Sequence, residues 1–162
     1  MELPQCSPSD RLDTLRIVVL VGLPGSGKTT YLAQIGATGL SSDLIRGLLA
    51  DDETDQTIHA VVFQTMRYLL RQRLLLRRPV TYIDATSLTP QERAPYIAIG
   101  RAYGCEVEAV FFDVPLEVCR ERNRGRARIV PDEAMETMAA KLVPPTVDEG
   151  FGRVEIWGGP LK

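Results

Sequence analysis

The stretch Ile17-Val18-Val19-Leu20-Val21-Gly22-Leu23-Pro24-Gly25-Ser26-Gly27-Lys28-Thr29 decides the fold. Its apolar, β-branched first part, Ile17–Val21, is typical of a strand buried on both faces of a parallel sheet. The rest matches G-x-x-x-x-G-K-[ST], in which glycines let successive backbone N–H groups turn towards one anion at a helix N-terminus. The alternative is a chance glycine turn, which would require the whole pattern to fall by accident between a buried strand and the start of a helix. We therefore predict a phosphate-binding loop (P-loop).

The P-loop predicts that the protein binds ATP or another nucleoside triphosphate together with Mg²⁺. Lys28 would reach the β and γ phosphates, and Thr29 would ligate the metal. The residues expected to bind the nucleotide are Gly22, Gly25, Ser26, Gly27, Lys28, Thr29 and Thr30. A second metal ligand, direct or through water, is expected in Asp84, at the tip of the predicted strand Val80–Asp84. Alternatively, Asp84 only caps the following turn with Thr86 and Ser87.

Strands and helices alternate along the rest of the chain, which predicts an α/β three-layer sandwich with a central parallel sheet covered by helices on both faces. Further strands are expected at residues 39–42, 107–112 and 154–157. Helices are expected at 28–34, 43–49 and 90–103, from 115, from 131, and over a long stretch up to 78 whose apolar stripe begins at 58. An acidic run, Asp51–Asp55, opens the long helix, and Pro79 ends it. We predict an N-terminal arm at residues 1–15 and one domain at 16–162.

Composition narrows the function classes. No run approaches the length of a membrane span, and residues 1–15 lack the regions of a secretory signal. The three cysteines, Cys6, Cys105 and Cys119, have no metal-ligand spacing, which favours a reducing cytoplasm. A Ser-His or Cys-His mechanism would need His59, the only histidine, which lies in a helical apolar pattern.

Asp43 and Arg46 indicate phosphoryl transfer to an acceptor. Asp43 follows the predicted second strand, where a carboxylate can accept a proton from an attacking hydroxyl. Arg46 lies three residues later, on the same face of a helical turn, and can bind a second anion on the acceptor. The competing interpretation is that Asp43 is an N-cap for residues 44–49, and the two roles are compatible.

Basic charge is local, because the net charge is −2 but five arginines lie within residues 120–128. They are Arg120, Arg122, Arg124, Arg126 and Arg128. A spacing of two aligns side chains on one side of an extended segment. We predict an Arg-rich lid that closes over the nucleotide and neutralises charge on the transferred phosphoryl group. The alternative is a solvated basic turn paired with Glu117 and Glu121.

These motifs together resemble the kinase domain of bacterial and phage 5′-hydroxyl polynucleotide kinases, especially the kinase module of a bacterial RNA end-healing enzyme. The resemblance runs from about Ile17 to the region of Phe151. Its matching stretches are Gly25–Thr29, Ser41–Leu48, Asp51–Gln56, Ile83–Thr86 and Glu121–Arg124. The P-loop is common to many families, whereas Ser-Ser-Asp-x-x-Arg and Glu-Arg-Asn-Arg are much more specific.

The resemblance implies transfer of the γ-phosphate of ATP or another NTP to a 5′-OH end of RNA or DNA, as in nucleic-acid repair. Asp43 would be the general base, Arg46 would bind the acceptor's neighbouring phosphate, and Arg122 and Arg126 would engage the donor. Ser87 replaces a frequent Asn of the family, and the lid departs from the family after Arg126. Phosphatase or ligase modules are implied partners, whether the kinase is free-standing or one module of a larger protein.

Two other functions remain open from the sequence. A small-molecule or antibiotic kinase would pair the same P-loop and aspartate with a closed pocket. A non-catalytic nucleotide-binding switch would need neither Asp43 nor Asp84.

Overall fold

The computed structural model describes residues 14–158, so all but the last two residues of the predicted arm lie outside it. The strands are β1 (Arg16–Val21), β2 (Leu40–Ser41), β3 (Val80–Asp84), β4 (Glu106–Phe112) and β5 (Arg153–Trp157). The helices are α1 (Lys28–Gln34), α2 (Ser42–Ala50), α3 (His59–Leu75), α4 (Pro90–Tyr103), α5 (Leu116–Arg124) and α6 (Asp132–Lys141). Short 3₁₀ helices, Gln56–Ile58 and Val147–Glu149, precede α3 and β5. Within the described range, no helix is long and apolar enough to cross a membrane.

The sheet is parallel throughout the described residues, in the order β2-β3-β1-β4-β5. The strand before the P-loop, β1, is central, with Val19 paired to Ile83 on one side and to Ala109 on the other. The carboxyl ends of the strands, which carry the predicted site residues, therefore all lie at the same edge of the sheet. Ligands of open parallel sheets bind at this carboxyl edge.

Helices cover both faces of the sheet because successive residues of β1 point to opposite sides. Ile17, Val19 and Val21 pack in one core cluster with residues of α3 and α4, which include Val62, Met66, Leu70, Tyr96 and Ile97. Val18 and Leu20 pack in a second cluster with Leu32 of α1 and Phe112 of β4. The predicted three-layer α/β sandwich is confirmed.

The long helix departs from its predicted bounds at both ends. Asp52 and Asp55 do not open it but accept hydrogen bonds from Thr54 and Thr57 in two local turns, and α3 begins at His59. It ends at Leu75, before Pro79, because Arg77 adopts a left-handed φ of 55°. The sequence pattern predicts the helix, but it does not reveal the turns before it, which side-chain hydrogen bonds close.

A buried arginine fixes the loop between β3 and α4. Arg93 is fully buried, and its Nε and Nη2 donate to the two carboxylate oxygens of Glu149 at 2.8 and 2.9 Å. Its Nη1 donates to the carbonyl of Ser87, a residue with a φ of 48°. Because this loop borders the carboxyl edge of the sheet, Arg93 fixes one wall of the cavity described next.

Candidate active site

A cavity of about 860 Å³ lies at the carboxyl edge of the sheet, between the P-loop, α2, α3, α4 and the segment after α5. Three carboxylates of the described residues line it: Asp43, Asp84 and Glu92. Seven cationic side chains of the same range line it: Lys28, Arg46, Arg67, Arg122, Arg126, Arg128 and Lys141. This excess of positive charge suits a polyanionic ligand, although the whole chain has a net charge of −2.

The P-loop backbone forms a close-fitting cradle. A Cβ on Gly22 would lie 2.6 Å from Ser26 Oγ, and a Cβ on Gly25 would lie 2.6 Å from the carbonyl oxygen of Cys119. Gly27 has a φ of 102° and lies against the Trp157 ring. Larger residues at these positions would collide with the surrounding atoms, which explains the glycine pattern.

Two P-loop side chains are poised for phosphate. Ser26 Oγ is buried with no hydrogen-bond partner among the described residues. Lys28 Nζ donates to the carbonyl oxygens of Gly22 and Leu23 at 2.8 and 2.9 Å. Burial lowers the pKa of Lys28 to about 8, and the charges of Asp84 and Arg126 act on it in opposite directions. An orphaned hydroxyl and a desolvated ammonium beside a glycine cradle fit a bound polyphosphate.

Asp84 ends β3 in register with Ser41 and lines the cavity with Thr29. Burial raises the pKa of its carboxyl, and the Lys28 ammonium opposes that rise. Among residues 14–158 no group of three or more His, Cys, Asp or Glu side chains could hold a metal. A cation here would take oxygens from Thr29, Asp84 and the phosphates, and oxygen ligands of this kind are those that Mg²⁺ favours.

Asp43 and Arg46 meet in the same cavity. Arg46 Nη1 donates to Asp43 Oδ1 at 3.3 Å, and the Arg46 side chain is only 5% exposed. Arg46 Nε is buried without a partner in the part of the chain described here. The N-cap of α2 is Ser41, whose Oγ accepts a hydrogen bond from Leu44 N, so the interpretation of Asp43 as the cap is wrong. Its carboxylate faces the cavity instead.

The five arginines separate into three groups. Arg122, Arg126 and Arg128 line the cavity: Arg122 Nη1 lies 3.5 Å from the Gly25 carbonyl oxygen, and Arg128 Nη1 donates to Asp43 Oδ1 at 2.5 Å. Arg120 pairs with Glu117 and Glu136, and Arg124 is exposed away from the cavity. The alternative of a paired basic turn thus holds for Arg120 alone, with Glu136 in place of Glu121.

A buried asparagine shapes the segment that presents these arginines. The Asn123 side chain donates to the Val130 carbonyl at 2.6 Å and accepts from the Val130 N–H at 3.0 Å. It closes residues 124–129 into a loop, which we call the arginine loop. The expected extended segment is therefore wrong: a compact loop, not a strand-like alignment, brings Arg126 and Arg128 to the cavity.

Several cavity residues were absent from the predicted site. His59, Phe63, Gln64 and Arg67 of α3, Tyr96 of α4 and Trp157 of β5 all line it. The spacing of His59, Phe63 and Arg67 by four residues was a readable signal of a shared helix face. Tyr96 and Trp157 carried no such signal, because both also belong to core clusters.

The fold and the site define a phosphotransferase of the P-loop kinase class. Residues 17–145 match an AAA domain family, and the chain belongs to that family. A curated relative, the bifunctional polynucleotide phosphatase/kinase of Schizosaccharomyces pombe, is 25% identical over 147 residues. That match covers 86% of this chain but only 32% of the relative, so the chain spans about a third of that protein's length.

Solved structures show the same fold. The APS kinase of Mycobacterium tuberculosis is 26% identical, with coverage of 68% of this chain and 69% of that chain and a TM-score of 0.50. A putative kinase from Chloroflexus aurantiacus is 13% identical, with coverage of 88% and 87% and a TM-score of 0.69. A gluconokinase from Sinorhizobium meliloti is 18% identical, with coverage of 90% and 82% and a TM-score of 0.55. The last two likenesses concern the fold alone.

Proposed function

We propose that the protein is a polynucleotide 5′-hydroxyl kinase that transfers the γ-phosphate of ATP or another NTP to a 5′-OH end of RNA or DNA. The observation that carries the proposal is Asp43, which lies against the buried Arg46 in the cavity that also contains Lys28. A carboxylate for the hydroxyl proton and a cation for an adjacent phosphate thus lie side by side on α2. The S. pombe relative, by its name a polynucleotide phosphatase/kinase, supports the same acceptor class.

The residues suggest one chemical step. The acceptor hydroxyl gives its proton to Asp43 while its oxygen forms a bond to the γ-phosphorus, and the bond from that phosphorus to the bridging oxygen breaks. Lys28, Arg122 and Arg126 stabilise the charge on the transferred group and the departing diphosphate. Mg²⁺ held by Thr29 and Asp84 would supply further neutralisation of the phosphates. Arg46 and Arg128 both donate to Asp43 Oδ1, so the hydroxyl proton would go to Oδ2, which has no hydrogen-bond partner among the described residues.

The test of the acceptor class is direct labelling of a nucleic-acid end. The protein is incubated with Mg²⁺, γ-labelled ATP and a 5′-OH oligonucleotide, and ATP binding is measured separately. We expect label on the 5′ end, and none on an oligonucleotide that already carries a 5′-phosphate. An unlabelled 5′-OH end, in a preparation that binds ATP, would reject the proposal.

The general base is tested by Asp43→Ala and Asp43→Asn. Because the carboxylate acts on the acceptor proton, both variants should bind ATP nearly as the wild type does and lose about 10²- to 10⁴-fold in kcat. Asn keeps the shape of the Asp side chain. A large loss of kcat in both variants would therefore show that proton transfer, and not packing, has been removed. Transfer at a near wild-type rate in either variant would show that the base is misassigned.

The second candidate is a small-molecule phosphotransferase. It is favoured by the likeness to the APS kinase, whose structure is a complex with AMPPNP and APS. Met138 and Lys141 of α6 also line the cavity, and they add a further wall against which a small acceptor could bind. Phosphorylation of APS or a sugar acid, with none of an oligonucleotide, would select this candidate.

The setting proposed for the enzyme is nucleic-acid repair, RNA repair above all, in the cytoplasm. The S. pombe relative is bifunctional, which supports an association with a phosphatase module, and a ligase module is a further proposed partner. Cys105 and Cys119 are free thiols, as a reducing compartment requires.

A further inference from the structure

One face of α3 lines the cavity and has no part in the proposed chemistry. It carries His59, Phe63 and Arg67 at intervals of four residues, with Gln64 beside them. A neighbouring face of the same helix carries Val62, Met66, Leu70 and Leu74, which are buried in the core. Of the cavity face, Phe63 also packs against this core, whereas His59, Gln64 and Arg67 are not part of the core cluster.

Arg67 lines the cavity from α3. Gln91, Pro95 and Tyr96 of α4 line the same cavity. Burial raises the pKa of the Tyr96 hydroxyl to about 12, and the Arg67 guanidinium is near enough to oppose that rise. The charge of Arg67 thus lies at the wall of the cavity, close to a buried ring.

Arg67 is half-buried, and no carboxylate among residues 14–158 pairs with it within 4.0 Å. By contrast, Arg46 and Arg128, which lie beside the proposed base, both form ion pairs with Asp43. The Glu92 carboxylate of α4 already has partners: it accepts a hydrogen bond from Leu88 N and forms an ion pair with Lys141. A partly desolvated guanidinium without a protein anion is suited to an anion of the ligand.

The position of Arg67 separates it from the donor phosphates. It is on α3, between β2 and β3, whereas Arg122 and Arg126 follow β4 on the other side of β1. The eight helical steps from His59 to Arg67 extend about 12 Å, more than the rise of about 3.4 Å per nucleotide of a stacked strand. The His59 and Phe63 rings, with centroids 4.6 Å apart and planes tilted by 43°, add aromatic faces of the kind on which bases stack.

We propose that Arg67 binds the second phosphate of the acceptor strand, counted from the accepting 5′ end, beyond the phosphate assigned to Arg46. This subsite rests on the proposed polynucleotide kinase activity and extends it. It makes the enzyme prefer acceptors with at least two phosphates over a single nucleotide.

The experiment compares two acceptors that differ by one nucleotide: a nucleoside 3′-phosphate and a dinucleotide with a 3′-phosphate, both with a free 5′-OH. For the wild type, KM should be about tenfold lower for the dinucleotide, as expected for one charge-assisted contact. Arg67→Ala should remove this difference by raising only the dinucleotide KM, with kcat unchanged for both acceptors. Arg67→Lys should restore part of it.

Arg71→Ala is the matched control, because Arg71 is an exposed arginine one turn further along α3 and does not line the cavity. It should behave as the wild type does. An Arg67→Ala variant that loses equally on both acceptors, or on neither, would overturn the subsite. If the ATP-binding wild type phosphorylates neither acceptor nor any longer oligonucleotide, the proposed function itself fails, and the subsite fails with it.

Discussion

At the scale of single residues, the protonation of Lys28 links nucleotide binding to pH. Burial lowers its pKa from 10.5 to about 8, while bound phosphate favours the charged ammonium. ATP affinity should therefore fall as the pH rises through about 8, by at most about tenfold per pH unit, because one proton must be taken up. Titration calorimetry in buffers of different ionisation enthalpy measures that uptake.

The effect on folding has the opposite sign. The unfolded lysine keeps its proton up to about 10.5 and the folded one only to about 8, so stability of the free protein should rise with pH between these values. In a Lys28→Arg variant this side chain stays charged, so it should make neither ATP affinity nor stability depend on pH in this range. A wild-type ATP affinity that stays flat across one pH unit on either side of 8 would contradict the assignment.

Arg128 should act differently from the other arginines of the cavity. It pairs with the Asp43 carboxylate that the acceptor hydroxyl must approach, so it competes with the acceptor for the space beside that group. Arg128→Ala should lower the acceptor KM severalfold and change kcat less than tenfold, whereas Arg122→Ala and Arg126→Ala should lower kcat by about 10² to 10³. Steady-state kinetics with varied acceptor separate these outcomes, and a kcat loss for Arg128→Ala as large as for Arg126→Ala would reject the competition.

At the scale of elements, the arginine loop depends on Asn123. Replacement by Ala removes two hydrogen bonds and leaves both polar groups of Val130 unpaired, so we expect a loss of about 2–3 kcal/mol in the free energy of unfolding. Urea denaturation measures it. Arg124→Ala, at the exposed neighbouring position, should cost less than about 0.5 kcal/mol.

The same change should weaken catalysis, since Arg126 and Arg128 lie within the loop that Asn123 closes. We expect Asn123→Ala to lower kcat even at temperatures at which the protein is fully folded. Unchanged kcat in a destabilised Asn123→Ala protein would show that the loop positions its arginines without this side chain.

At the scale of the whole molecule, the excess of positive charge is local to the cavity, although the chain as a whole is slightly acidic. The net charge is −2, yet the cationic side chains of the cavity outnumber its acids. If Arg46 and Arg67 bind two phosphates of a single strand, log K should fall with log salt concentration with a slope of about −1.4. Fluorescence anisotropy of a labelled 5′-OH oligonucleotide at several salt concentrations provides the slope. A slope several times steeper would indicate an extended nucleic-acid surface.

Sequence patterns predicted the layers of the fold and the place of Lys28, Thr29 and Asp84 at the carboxyl edge of the sheet, because both depend on local signals. A buried strand before a glycine pattern determines where Lys28 and Thr29 lie, and an acid at a strand tip determines the position of Asp84. The site contacts between distant residues were not predictable in this way. The pairs Arg128–Asp43 and Arg93–Glu149 join positions 85 and 56 residues apart, and only the packed chain brings them together.

The contact between Gly27 and the ring of Trp157 also has an optical consequence. Trp157 is the only tryptophan of the chain, and its ring borders the cavity beside the P-loop. The tryptophan emission of the protein therefore originates from one chromophore at the place where the donor is expected to bind. Substrate titrations can be followed on the unlabelled protein, with a Trp157→Phe variant as the dark reference.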